Sequence, residues 1–395
     1  MEKRTGLFTN MIIWFGVAIS VSEIQAGIQI GSAAPVNSIW VPLILGHVIG
    51  GILLYFVGLI GARLRVNAME SIKSTFGNLG SRFFAALNVM QLIAWVAVLN
   101  AQGTLALMGL NIPISFALTS IILAILVAIW VFIGLQRTSK ITSIIMIILT
   151  VLLIVLSFKL LGIERYHLIP IKNSATLTFW NIFEISIAMP ISWLPVIGDY
   201  TKDVKSPKKA TALSALAYTV ASLWMYFIGI EVVCIGTVDI SQAILISGLG
   251  VQGVFILVLS TVTTNFLATN SAGESAKAIF NRLDPKIVGV IVSILSAILA
   301  ISGIMDHYIS FLYLISSVFA PMASVLVVSF YFGKGNNKTK DWYWNIFSWF
   351  VGFIVYQITS GFDSIFLGPT LIAVIVSAGL TYSWILVKKK EKIKN

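Results

Sequence analysis

Twelve apolar stretches divide this chain, and they limit what it can fold into more than any other feature. They fall at about 10–33, 39–62, 81–107, 113–136, 140–163 and 175–198, then 212–236, 249–272, 287–303, 307–331, 343–360 and 367–387. A bilayer-crossing helix needs about 20 apolar residues, so twelve crossings take roughly 240 positions and leave about 150 for loops and tails. That remainder is too small for a large extramembrane domain. Of the 395 residues, 58% are hydrophobic and 10% charged, against about 45–50% and 25% in a soluble domain. A soluble enzyme is excluded. The expected fold is an all-α integral membrane protein of twelve transmembrane helices embedded in the lipid bilayer, forming one membrane domain over 1–395.

The formal charge of +11 could suggest nucleic acid, but the placement of the basic residues says otherwise. With the N-terminus inside, 23 of the 26 Lys and Arg fall in inner loops and tails; only Lys159, Arg165 and Lys172 surround the loop between spans five and six. Such asymmetry in short loops is the positive-inside pattern. Both termini are expected in the cytoplasm of a cell-membrane protein, with no nucleic-acid partner. The first span follows Lys3 and Arg4 but is too long and too polar for a cleaved signal peptide. The lone Cys234 excludes an internal disulfide and any CxxC metal site. His47, His167 and His307 lie far apart, without HExxH spacing, and there is no Walker A sequence. No nucleophile–base arrangement is visible, so the chain reads as neither an enzyme nor a cofactor protein. Trp40, Trp342, Trp344 and Trp349 lie near span ends, as in an interfacial belt.

Polarity inside the spans is the informative anomaly. A carboxylate at membrane depth costs at least about 2.5–3.5 kcal/mol, so such residues face protein or water. Glu23 sits in the middle of span one, in Ser20-Val21-Ser22-Glu23-Ile24-Gln25-Ala26-Gly27, a run that weakens the helix. Span six holds Glu184, Pro190, Ser192 and Pro195, and each proline removes an amide donor. Two interrupted spans, five apart and so antiparallel, point to an inverted-repeat transporter. The alternative is that Glu23 pairs with a polar neighbour and the prolines only kink span six.

Span three carries Asn88, Gln91, Trp95 and Gln102 at i, i+3, i+7 and i+14, on one helical face. An indole beside carboxamides suits a flat heterocycle, stacked on Trp95 and met in its plane by Gln91. Amides also join helices to one another. Span eight, Ser260-Thr261-Val262-Thr263-Thr264-Asn265 through Asn270-Ser271, is dense in hydroxyls and amides. Thr263 and Thr264, with carbonyls of an opened span one, would suit a hard cation such as Na⁺. Hydroxyls folded back onto their own helix would account for the same residues.

The run Trp14 to Ile24, the stretch Gly198-Asp199-Tyr200-Thr201-Lys202, and Thr263-Thr264 with Phe266-Leu267 and Ser271-Ala272-Gly273 resemble the nucleobase–cation symporter family of cytosine and purine permeases. Ser22-Glu23-Ile24 and the span-eight run look most like its hydroxymethylpyrimidine branch. The resemblance implies a 5+5 inverted-repeat core, spans 1–5 (about 10–163) and 6–10 (about 175–331), with two accessory helices, spans 11–12 (about 343–387). It implies alternating access with a pyrimidine-type substrate between spans one, three, six and eight. Carried over to this chain, substrate contacts are Gln91, Trp95, Met189, Ser192 and the candidates Asn265 and Asn270; Glu23 and Gln25, from the polar run of span one, join them as an expectation beyond the family pattern. Met189 and Pro190 stand where relatives usually have an aromatic residue, with Trp193 close by. The cation site maps to carbonyls near Val21 and Ile24 and to Thr263 and Thr264, with Na⁺ the expected coupling ion and H⁺ the alternative. Asp199 is expected to be a gate or helix-end residue. Glu23 is expected either to meet an aminopyrimidine edge or to carry the coupled proton. A same-superfamily symporter for a purine, amino acid or other small solute is the alternative reading.

Overall fold

A computed structural model describes residues 4–109, 113–133, 135–164, 177–333, 341–362 and 365–394. Arg165, His167, Lys172, Lys334, Lys338 and Lys340 lie outside the described residues. The helices run α1 Leu7–Ala18, α2 Val21–Ala33, α3 Val36–Leu64, α4 Ala68–Ser71, α5 Lys73–Gly109, α6 Phe116–Ile133, α7 Leu135–Leu161 and α8 Phe179–Ser192. They continue with α9 Ile197–Thr201, α10 Pro207–Cys234, α11 Ile240–Ile246, α12 Gly250–Ile279, α13 Pro285–Ile301, α14 Tyr308–Phe332, α15 Asp341–Thr359 and α16 Gly368–Lys394. One isolated parallel bridge, Thr5 with Val204, ties the N-terminal segment to the loop after α9.

Each of the twelve apolar stretches falls on a helix or a broken helix. Among the described residues eight helices are long and apolar enough to cross a membrane, and α1–α2, bent by 48°, make a ninth as a pair. The remaining three stretches fall on α8, α13 and α15, of 14, 17 and 19 residues.

Burial sorts these helices. The most apolar window of α12 is 78% buried, whereas that of α16 is 22% buried and those of α6 and α7 are 33%. Hydroxyl-rich α12 is therefore at the centre, and the apolar helices face outward. This is the order expected when the solvent is hydrocarbon and polar groups must find partners within the protein. Packing is also reciprocal. The broken span α1–α2 lies along α10, and α8 with the short α9 that follows it lies along α3; α5 lies along α12, and α13 touches both α5 and α6.

Small residues permit the closest of these approaches. A Cβ on Gly229 of α10 would stand 2.1 Å from the Ile24 carbonyl oxygen of α2, and one on Gly50 of α3 would stand 2.2 Å from the Pro190 ring of α8. The belt expectation fails for Trp349. It is buried, packs edge-on to Phe84 with centroids 5.1 Å apart, and donates its indole N–H to the Val318 carbonyl at 2.9 Å. Its place near a span end is offset by the packing of α15 against α14 and α5.

Candidate substrate and coupling site

The break in the first span is built by Ile19 and Ser20. Ile19 leaves the helical region (φ −76°, ψ 85°) and Ser20 is extended (φ −141°, ψ 151°). Ser20 then caps α2, its Oγ accepting from the Glu23 N–H at 3.2 Å. Ser-x-x-Glu is a helix-start spacing, so Ser20 and Glu23 mark the break in the sequence more sharply than the polar run alone. With no helical N–H to receive it, the Ile19 carbonyl accepts from Ser260 Oγ at 3.0 Å and from Thr264 Oγ1 at 3.4 Å, both on α12.

Beside this break lies a small cavity of about 10 Å³, lined by the buried residues Val17, Ser20, Ser22, Glu23, Trp95, Leu99, Met189, Trp193 and Thr264. That is at the lower edge of the roughly 10–15 Å³ that admits a single water. A heterocycle therefore enters only if the surrounding helices part. Four elements meet here: the α1–α2 break, α5, the end of α8, and α12. Two indoles, Trp95 and Trp193, line the cavity from different helices. Trp193 supplies the aromatic surface that Met189 and Pro190 lack. Below it Trp14 packs edge-on to Trp193 and Tyr200, with centroids 6.0 Å apart in each pair.

Glu23 is the one ionisable side chain among those lining residues. It is 2% exposed and accepts from the Tyr218 hydroxyl at 2.9 Å and the Ser222 hydroxyl at 2.7 Å, both on α10. Beyond Ser222 stands His47 of α3, its Nε2 2.7 Å from Ser222 Oγ and its Nδ1 2.6 Å from Ser186 Oγ of α8. Ser22 and Tyr308 of α14 are joined at 3.2 Å through their hydroxyls.

The span-three stripe divides. Asn88 donates to the Pro195 carbonyl at 3.2 Å and to Ser275 Oγ at 2.8 Å, and Gln91 donates to the Ser192 carbonyl at 3.0 Å. Both amides thus serve carbonyls at the opened end of the sixth span. Gln91 Oε1 is buried without a partner, and Gln91 does not line the cavity. Ser192 returns its hydroxyl to the Met189 carbonyl at 2.6 Å, also off the cavity. Asn265 is 1% exposed and neither of its amide atoms has a partner. Gln25 and Asn270 are half-buried and do not line the cavity.

The oxygen set expected for a cation is not gathered at one point. Thr263 Oγ1 donates back to the Leu259 carbonyl at 2.7 Å, so it is engaged within its own helix. The Ile24 carbonyl lies against α10 at Gly229, and Val21 and Ile24 line a small, mainly apolar cavity with Ser260. The oxygens that do converge are the Ile19 carbonyl, Ser260 and Thr264. They form an all-oxygen set of the kind that hard cations favour, with Ser260 in the place expected of Thr263.

Past the sixth span, Gly198 to Lys202 ties four helices together. Asp199 Oδ1 accepts from the Ala68 N–H that opens α4, at 2.9 Å. Tyr200 donates to the Leu267 carbonyl of α12 at 2.8 Å, Thr201 to the Gly58 carbonyl of α3 at 2.9 Å, and Lys202 pairs with Glu274 at 3.4 Å. Asp199 is thus a helix-end residue. Burial pushes its carboxyl up from 3.8 to about 7, although the Ala68 hydrogen bond and the Lys202 charge oppose this. The same face opens into a vestibule of about 560 Å³ lined by residues including Arg65, Arg82, Lys202, Glu274 and Lys277. Glu184, another buried carboxyl within a span, lies apart from the central cavity. It accepts from the Thr370 N–H at 3.0 Å and the Thr370 hydroxyl at 2.5 Å, anchoring the start of α16.

Residues 1–377 match the family described as permease for cytosine/purines, uracil, thiamine, allantoin. The chain belongs to this permease family. It is therefore a multi-pass membrane transporter and not an enzyme. The permease is 20% identical over 338 residues to the cytosine permease of Escherichia coli (strain K12), covering 83% of its own length and 78% of the relative's. It is similar to the inward facing conformation of Mhp1, with a TM-score of 0.77 and 19% identity over 98% of this chain and 92% of that one. Mhp1, a nucleobase-cation-symport-1 family transporter, in a closed conformation with bromovinylhydantoin bound matches with a TM-score of 0.75 and 22% identity, over 98% and 94%. A Na⁺-coupled sialic acid symporter shares the fold more distantly, with a TM-score of 0.69 at 14% identity, over 97% and 90%.

Proposed function

We propose that the permease is a secondary active symporter importing a pyrimidine-type base, hydroxymethylpyrimidine or cytosine, by cation-coupled alternating access. The observation that carries this reading is the small buried cavity beside the break in the first span, lined by two indoles and a single carboxyl. A flat ring stacks between apolar faces. An exocyclic amine beside a ring nitrogen presents the donor–acceptor edge that a carboxyl group meets with two hydrogen bonds. Trp95, Trp193, Met189 and Glu23 are the proposed contacts at this cavity. Gln91, with its free Oε1, and Asn265, with its unpaired amide, become contacts as the helices part. The hydroxymethylpyrimidine branch is favoured by the Ser-Glu-Ile run of span one, and cytosine by the named relative.

The cation, cotransported with the base, is read at the Ile19 carbonyl, Ser260 and Thr264 if it is Na⁺, and at Glu23 if it is H⁺. The reciprocal packing of α1–α2 on α10 and α8–α9 on α3 supports two inverted repeats, spans 1–5 and 6–10, in twelve crossings with both termini cytoplasmic. The shared fold also serves a sialic acid symporter and MhsT, solved with L-phenylalanine. The fold alone therefore accommodates other solutes. Counterflow in proteoliposomes with radiolabelled cytosine and hydroxymethylpyrimidine, each with and without a Na⁺ gradient, tests the assignment. Substrate-driven exchange of one of the two is expected; if neither accumulates under any gradient, the substrate reading is wrong.

A further inference from the structure

His47 does not line the cavity, yet it is completely buried in a span and both its ring nitrogens are engaged. We propose that Glu23, Ser222 and His47 form one proton-binding site, in which a single proton is shared between the carboxyl and the imidazole through the Ser222 hydroxyl. The inference rests on the reading of the central cavity as the transport site, because Glu23 is where the chain of hydrogen bonds meets that cavity.

The hydrogen-bond directions allow few arrangements. Ser222 has one proton and two neighbours, Glu23 Oε2 at 2.7 Å and His47 Nε2 at 2.7 Å. With the site protonated, the Glu23 hydroxyl donates to Ser222 Oγ and Ser222 donates to Nε2. The Nδ1–H is then directed to Ser186 Oγ and the Leu43 carbonyl, 2.6 and 3.1 Å away. Moving the Glu23 proton to Ser222, and the Ser222 proton to Nε2, yields a carboxylate and an imidazolium with the same number of protons. Removing one proton leaves Glu23 accepting from Ser222 and Nε2–H donating to Ser222 Oγ, while the Ser186 hydroxyl, which donates to the Leu43 carbonyl at 2.6 Å when Nδ1 carries a proton, turns to Nδ1. Tyr218 donates to Glu23 Oε1 throughout. The carboxyl of Glu23, the Ser222 hydroxyl and both ring nitrogens of His47 keep a partner in each arrangement, so a proton is held or released by turning the Ser222 and Ser186 hydroxyls.

Among the described residues the surroundings supply no other countercharge. α10 presents Tyr218 and Tyr226, the latter edge-on to His47 with centroids 4.8 Å apart, and α14 presents Tyr308. α5, α8 and α12 bring Trp95, Met189 and Thr264 to the cavity. Glu184 of α8 is held by Thr370. Among the described residues no Lys or Arg contributes to the environment of Glu23. An isolated buried carboxylate is costly, and a proton shared with an imidazole offsets that cost. Release follows when the cavity opens and water solvates Glu23.

The test is pH-difference infrared spectroscopy on the full chain reconstituted in lipid, without substrate. A pH-dependent carboxylic C=O band that disappears in Glu23→Gln is expected. Ser222→Ala and His47→Gln are expected to move its midpoint by about tenfold in proton concentration, the scale of one lost charge-assisted hydrogen bond, and Ser222→Thr to restore it. If His47→Gln fails to fold, the Ser222→Ala and Ser222→Thr pair decides. Absence of any band that depends on Glu23, or a midpoint unmoved by Ser222→Ala, overturns the proposal. A band that behaves as expected, in a protein that exchanges neither cytosine nor hydroxymethylpyrimidine, supports the proton site while the substrate reading fails. The two failures are therefore distinguishable.

Discussion

Asp199 sits where the inner end of the sixth span meets α4, accepting from the Ala68 amide while its second oxygen has no partner. Burial raises its carboxyl from 3.8 to about 7, so the folded chain keeps this proton to higher pH than the unfolded chain does. By linkage, stability must fall as pH rises between those two values. Asp199→Asn keeps the acceptor for Ala68 and removes the titration. Thermal unfolding of the purified protein across that range should show the wild type losing stability with rising pH relative to Asp199→Asn, the difference levelling off above about pH 7. Parallel profiles would sink this account. Glu23 illustrates a different limit at this scale. Its depth in the first span was legible from its neighbours, but its partners were not. His47 and Ser222 lie 24 and 199 positions away, and neither has a spacing that announces a hydrogen bond.

At the scale of the element, the seam between α2 and α10 is set by backbone contact. Gly229→Ala would place a methyl group 2.1 Å from the Ile24 carbonyl oxygen, which only a shift of one helix relieves. Overpacking of this kind costs about 1–3 kcal/mol. Because α2 carries Glu23 and α10 carries Tyr218 and Ser222, the shift should reduce transport as well as stability. Counterflow of cytosine and the melting temperature of the same preparation check it, and a variant stable and active as wild type would show that the seam is looser than described. The two breaks were legible in sequence because Ser20 and the paired prolines act locally on the backbone. The face that α12 turns to the first span was not. Its hydroxyls are spread around the helix, so nothing in their spacing favours Thr263 over Ser260.

For the whole molecule, the asymmetry of charge and the vestibule coincide. The cavity of about 560 Å³ opens on the face that carries Arg65, Arg82, Lys202 and Lys277, the side expected in the cytoplasm from the positive-inside pattern. In a Cys234→Ser background, Lys389→Cys should resist an impermeant maleimide in intact cells and react after permeabilisation, while Glu164→Cys should react in intact cells. Labelling of Lys389→Cys in intact cells would reverse the topology.

The sequence by itself determined residence in the membrane, the sites of the two breaks and the expected orientation. These follow from local hydropathy, local backbone donors and the cost of moving charge across lipid. Only the tertiary structure decided which polar groups meet: Ser260 rather than Thr263 at the Ile19 carbonyl, Gln91 on the Ser192 carbonyl, Glu184 on α16, and His47 behind Glu23. Those pairings depend on how each helix is rotated about its own axis. In a bundle surrounded by lipid, that rotation is set by close packing and by the satisfaction of buried hydrogen bonds between helices distant in the chain.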